Sequence, residues 1–358
     1  MKSTRIVTTL LIGSVVAFCQ EPAPPKSGPG VQSPADPRQP ELLKTCKVPP
    51  PARGGGPPGG AKGGPAKGGQ AKGPAPAAGP REYTVTAIPG VIAAGQQWKE
   101  LWQVDGNNAD GIVGTSDGGL LIAQNDNSSI IKLDKNGKTS VAYAGLNTSG
   151  SVAMNSKGAL FVVNRGLNES VEQIAPQRKT LANKYNGDPL DCLGGVLNDI
   201  TADSKGGVYF TSGGVFHADS TGKVTRYGEN INTNGIVLSP DEKRLYVTNG
   251  PTLAAFDVAK DGSLSNQREL ARWEGGGGDG STFDSAGRFY VTTNAGVQVL
   301  APDGKPLGLI PTPRSIITVA FSGPDRKMLY VVARDGPQNK DWILGIQMIA
   351  QGAKGRGK

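Results

Sequence analysis

The chain has 358 residues, 37% of them hydrophobic, with a mean hydropathy of −0.30, which excludes a protein built of many membrane spans but allows a sizeable core. Its net charge of +8 is local: residues 1–81 hold eleven Lys/Arg against three Asp/Glu, and the remainder is balanced. Basic residues scattered through low-complexity sequence without aromatic neighbours do not make a nucleic-acid-binding fold.

Residues 1–19 predict a signal peptide. Lys2 and Arg5 precede the apolar run Ile6–Phe18, and small Val15 and Ala17 sit where a peptidase could cut. That run is too short to span a bilayer, and no later segment is long enough, so no membrane span is expected after signal removal. Phe18 is bulky for a lipid-attachment site at Cys19, so simple export to the periplasm or outside is expected. From Pro51 to Pro80 the chain contains only Gly, Pro, Ala, Lys, Arg and Gln. Such sequence buries too little apolar surface to offset its ordering entropy, so 20–81 reads as a disordered linker. Residues 351–358 read as a basic tail, and basic tails suit association with an anionic envelope surface. Cys46 and Cys192 either bridge the tail to the body in an oxidising compartment or stay free.

Residues 82–350 repeat. GGLLIAQN, GALFVVNR, GGVYFTSG, KRLYVTNG, GRFYVTTN and KMLYVVAR start at Gly118, Gly158, Gly206, Lys243, Gly287 and Lys327, their first apolar residues 37–48 apart. Each is a β-prone run after a polar turn, and further hairpins with Asn-Gly, Thr-Gly or Asp-Gly turns follow most of them. Several short strands per period near 45 residues predict an all-β, six-bladed β-propeller. Residues 82–104 are expected to give outer strands to the last blade and close the ring.

One column recurs five residues before the turns: Asp110, Gly150, Asn198, Asn234, Asp279 and Thr318. Each precedes a short apolar stretch that should be the innermost strand of its blade, so the column should ring the central channel. Asp110, Asn198, Asn234 and Asp279 then form an oxygen-only site of charge −2, suited to Ca²⁺ or another hard divalent cation. The competing reading is that Asp-Gly and Asn-Gly merely make turns. Ends of the second strands return to the same face, which places Asn125, Asp126, Arg165, Asn249, Asn294 and Arg334 as candidate substrate contacts.

TNGIVLSPDEKRLYVTNG and GDGSTFDSAGRFYVTTNAGVQVLAPDG resemble the gluconolactonase/regucalcin-like family, which shares its six blades with paraoxonase-type lactonases. The likeness runs over about Ala109–Ala333. It implies a divalent ion in the channel held by Asp110, Asn198, Asn234 and Asp279. Three departures stand out: Asp110 replaces a Glu, Val196-Leu197 stand where sugar-lactone hydrolases often carry an Arg, and the PNG-like and PDG-like motifs have become Thr233-Asn234-Gly235 and Gly278-Asp279-Gly280. The metal site is therefore expected and gluconolactone specificity is not.

The single histidine, His217, lies in a strand away from the axis, which leaves no His for Ser-His-Asp or Cys-His chemistry. Metal-assisted opening of a small lactone is the expected reaction, with Asp279 or the ion activating water. A monomer is expected. The rivals are a non-catalytic propeller with a structural calcium, another hydrolase, or a strictosidine-synthase-like propeller.

Overall fold

The computed structural model describes residues 30–48, 50, 80–335 and 338–354. The signal peptide expected at 1–19, with Cys19, the low-complexity residues 51–79 and residues 355–358 lie outside the described residues.

Six four-stranded antiparallel sheets follow one another along the chain as the blades of a propeller. Their innermost strands are Ile112–Gly114, Ser149–Met154, Ile200–Ala202, Thr233–Leu238, Ser281–Phe283 and Ile316–Ser322. The six repeated runs form the second strands, from Leu120–Gln124 in the first blade to Met328–Asp335 in the sixth. A strand lying between two neighbouring blades is covered on both faces, so its alternating side chains must all be apolar or internally satisfied. Leu160–Asn164 (LFVVN) is accordingly buried throughout, whereas the outermost strand Thr139–Tyr143 faces solvent along nearly its whole length. The core is divided between blades: Ile112, Ile122 and Ile131 of the first pack on Tyr330, Val332 and Ile343 of the sixth.

Polar turn residues set the period. Asp203 Oδ1 accepts the backbone N–H of Lys205 and Gly207, each at 2.8 Å, and Asn155 and Asp284 make the same pair of bonds two and four residues ahead. The ring closes through Lys99–Asp105, the outermost strand of the sixth blade, antiparallel to Lys340–Gln347 with Lys99 opposite Gly345 and Asp105 opposite Lys340. One strand closes the blade, not several. The residues before it pack Val85, Ile88, Val91 and Ile92 with side chains of the fifth and sixth blades, and the Trp98 indole N–H donates to Pro311 O at 2.8 Å.

Residues 30–48 depart from the expected linker. They carry a 3₁₀ turn, Ser33–Ala35, and a short helix, Gln39–Leu43, and lie as a strap over the second blade and its connection to the third. Among the bonds that hold the strap, three reach the site or its surroundings. Ser33 N donates to Arg165 O at 2.7 Å, Ser33 Oγ donates to Asp191, and Cys46 is disulfide-bonded to Cys192. The strap is ordered by tertiary bonds that its Pro-rich composition does not advertise.

Candidate active site

The ring assembles at the start of the inner strands, where the chain enters each blade beside the axis. Five of the six predicted positions hold. In the sixth blade the place belongs to Ile317, not Thr318. Gly280 N donates to Ile317 O at 2.9 Å as Gly111 N donates to Gly150 O at 3.1 Å, which makes Ile317 the counterpart of Gly150. The slip has a physical cause: the turn after Ile316–Ser322 is a wider 3₁₀ turn, Pro324–Arg326, which shifts the offset by one.

The Gly of the Asn234-Gly235 pair is not there to make a turn. A Cβ on Gly235 would fall 2.1 Å from the Asp279 carbonyl oxygen, and its φ is not left-handed. The glycine lets neighbouring inner strands approach closely at the axis. Register irregularities at Gly150, at Asn234-Gly235 and at Ile317 re-aim the chain at the same level.

A guanidinium joins two of the four ring side chains directly, and two further bonds link the others to them. Arg165 Nη1 donates to Asp110 Oδ2 at 2.5 Å and to Asn125 Oδ1 at 3.3 Å. Its Nη2 donates to Asn198 O at 2.6 Å and Asn198 Oδ1 at 2.9 Å, and its Nε to Leu197 O at 2.6 Å. Asn198 Nδ2 donates to Asn234 Oδ1, and the Asn234 side chain bonds to the Asp279 carboxyl. Asn125, fully buried, adds a bond from Nδ2 to Asp110 Oδ2 at 2.9 Å. Asp279 keeps some contact with solvent, yet its carboxyl is desolvated by the surrounding wall. That burial, with the like charge of Asp110, pushes its pKa up to about 7, against the pull of Arg165, Asn234 and Arg334.

Of the other candidate contacts, Arg334 alone combines proximity to the ring charges with a guanidinium nitrogen left over. Nε donates to Asp341 Oδ1 at 2.8 Å, and Nη2 to Asn107 Oδ1 at 2.6 Å and Ala109 O at 2.8 Å. Nη1 makes no hydrogen bond among the described residues. The charges of Asp110 and Asp279 act on this guanidinium, and its pKa is raised although burial alone would lower it. Arg165, by contrast, has all five N–H groups engaged and none to offer a substrate. Asn294 Nδ2 donates to Gly275 O at 2.8 Å, and Asn249 Oδ1 accepts from Asn232 N at 2.9 Å, so both side chains brace loops at the mouth. Asp126 braces another, accepting Asn107 N at 2.8 Å.

Two residues with no place in the predicted column complete the site. Asp341, 1% exposed, accepts Asn108 N and Ala109 N at 3.0 and 2.9 Å and so fixes the loop leading to Asp110. Asp199 binds three blades together through Ser151 Oγ at 2.7 Å and Ile236 N at 2.9 Å. Its signal was its place beside Asn198; Asp341 had none, being in a third strand outside the repeated offset.

The donor chemistry of the ring fits a hard dication. Every converging side-chain acceptor is a carboxylate or amide oxygen, and Asp110 Oδ1 has no bond among the described residues. Among the described residues no group of three His, Cys, Asp or Glu side chains is placed to hold a metal ion, and the ring itself offers two carboxylates and two amides. A cavity of about 720 Å³ between the fourth and fifth blades is lined by turns such as Ser239–Asp241 and Asp284–Gly287, at the opposite end of the inner strands, and shares no residue with the ring.

His217 is structural. It stacks on Tyr209 at 4.3 Å, and Nε2 lies 3.3 Å from Asp203 Oδ2. Burial pushes the Asp203 pKa up, but His217 and the N–H groups of Gly207 and Lys205 outweigh it and hold it below the usual carboxylate range. A folded-state pKa below the unfolded one stabilises above about pH 4, and that stability is lost as pH falls through the folded value. Asp203→Asn should therefore cost about 1–3 kcal/mol at pH 7, with the gap to wild type closing below about pH 4, as read by urea unfolding across pH.

A family model described as the SMP-30/gluconolactonase/LRE-like region matches residues 126–334. A 6-deoxy-6-sulfogluconolactonase of Pseudomonas putida is 35% identical over 129 residues, 33% of this chain and 44% of that one. A gluconolactonase of Zymomonas mobilis is 26% identical over 186 residues, 43% of this chain and 51% of that one. The chain thus spans about half the length of these curated relatives. Among solved structures, a gluconolactonase of Xanthomonas campestris superposes with a TM-score of 0.58 at 19% identity, covering 74% of this chain and all of that one, which is a likeness of fold. On the family match, this chain belongs to the SMP-30/gluconolactonase/LRE-like family.

Proposed function

We propose that the protein opens a small lactone by hydrolysis in the central channel, with a divalent cation, Ca²⁺ foremost, as cofactor. The observation carrying this reading is the meeting of Asp110, Asn198, Asn234 and Asp279, from four separate blades, along one chain of hydrogen bonds that passes through Arg165. The lactonase names of the relatives support the substrate class.

Asp110, Asn198, Asn234 and Asp279 would hold the ion, which when bound supplies Lewis acidity to a carbonyl oxygen. Water adds to the acyl carbon, and the ring C–O bond breaks to give a hydroxy acid. The Asp279 carboxylate accepts the proton that the water sheds and returns it to the departing alkoxide oxygen. Arg334 Nη1 offers a donor to the oxygen on which negative charge develops. Buried Asn125 and Asp341 keep these groups in place by fixing Asp110 and its loop.

Sugar and other small lactones should be hydrolysed by the calcium-loaded protein, and chelation should abolish turnover. Arg334→Met should lower kcat by about 10²-fold or more with a smaller change in KM, as loss of a charge-stabilising donor does. No turnover of any lactone, with melting still dependent on metal, would instead favour a binding propeller with a structural ion.

We further infer that the protein works outside the cytoplasm. The Cys46–Cys192 bond and the leader-like residues 1–19 support this, because such bonds persist in oxidising compartments.

A further inference from the structure

The second blade contributes no ligand-type side chain to the ring: its position is Gly150. A Cβ there would fall 1.9 Å from Arg165 Nε and 2.2 Å from its Cζ, so the guanidinium occupies the space that a second-blade side chain would take. This side chain is 5% exposed, and its five N–H groups are spent on Asp110, Asn125, Leu197 and Asn198. The backbone is held as well, because Arg165 O accepts from Ser33 N of the disulfide-tied strap at 2.7 Å. With Arg165 and Arg334 set against Asp110, Asp279 and Asp341, the local charge falls from the −2 counted from the ring alone to −1.

We propose that Arg165 is a resident cation of the ring that competes with a dication for the oxygens of Asp110 and Asn198, so that this chain binds metal only against the guanidinium. The inference rests on the ring being a dication site. It concerns what sets the affinity there, not whether the residues can ligate. Two of the oxygens a hard ion would use already accept from Arg165, and a fixed positive charge next to the ion opposes it in a weakly screened site. The strap makes withdrawal of the guanidinium costly, since Arg165 is pinned at both ends.

The experiment is calorimetric titration of calcium, and in parallel magnesium and manganese, into chelator-stripped wild type, Arg165→Met and Arg165→Lys, with melting curves for each. Arg165→Met should bind calcium at least tenfold more tightly than wild type, and Arg165→Lys, which keeps the charge, should stay near wild type. Stripped Arg165→Met should melt lower than stripped wild type and recover more on adding calcium, because Asp110 then loses its ion pair and only Arg334 is left to offset the ring carboxylates. If Arg165→Met folds only with calcium present while stripped wild type folds without it, that difference bears the proposal out. Equal or weaker calcium binding by Arg165→Met overturns it while leaving the ring as a metal site. Absence of binding by all three proteins to every ion overturns the dication reading itself.

Discussion

Asp279→Asn should reduce kcat/KM for lactone hydrolysis by about 10²–10⁴-fold, the usual worth of a positioned proton acceptor, while leaving the circular dichroism spectrum unchanged. Asparagine fits the same space, but it cannot take a proton from water and brings no charge to an ion. A parallel calcium titration should show weaker binding. Activity within a factor of three of wild type would remove Asp279 from the chemistry. The expectation follows from the geometry: this carboxyl ends the chain of bonds that starts at Asp110 and passes through Arg165, Asn198 and Asn234.

Asp341→Ala should destabilise the protein by about 3–5 kcal/mol, measured by urea unfolding, because one buried carboxylate serves three partners. Its loss would strand two backbone N–H groups, of Asn108 and Ala109, and leave the Arg334 Nε without its acceptor. Asp341→Asn keeps the shape and should cost less. Activity measured well below the melting point should fall in both variants, since the loop carrying Asp110 and the guanidinium of Arg334 lose a common anchor. A cost below about 1 kcal/mol for the alanine variant would show that the pair is not the anchor described.

Much of this architecture is written locally. Runs such as LFVV and VYF are apolar on both faces because a strand between two blades has no solvent side, and that pattern marks all six second strands. The ring was legible because Asx turns fix its distance from the following hairpin. It failed by one residue where the sixth blade uses a 3₁₀ turn instead. What the sequence hides is longer in range. Arg165 reads as a strand-end cation, yet its partners lie 32 to 55 residues away, so nothing near it announces that every donor is engaged. The strap is hidden for the same reason: Pro-rich sequence is ordered by Asp191, Cys192 and Arg165, all far along the chain. Asp341 belongs to no repeated column, and only the fold puts it beneath Asp110.

The pairing of Lys99–Asp105 with Lys340–Gln347 joins strands that most of the chain separates. Until the later strand is available, Lys99–Asp105 has no partner and the sixth sheet lacks its outer member. Because distant segments must meet before the circle is complete, assembly should be slow relative to its size. Once latched, the circle can open only by tearing that strand away, so resistance to unfolding should depend on this pairing more than on any other outer edge.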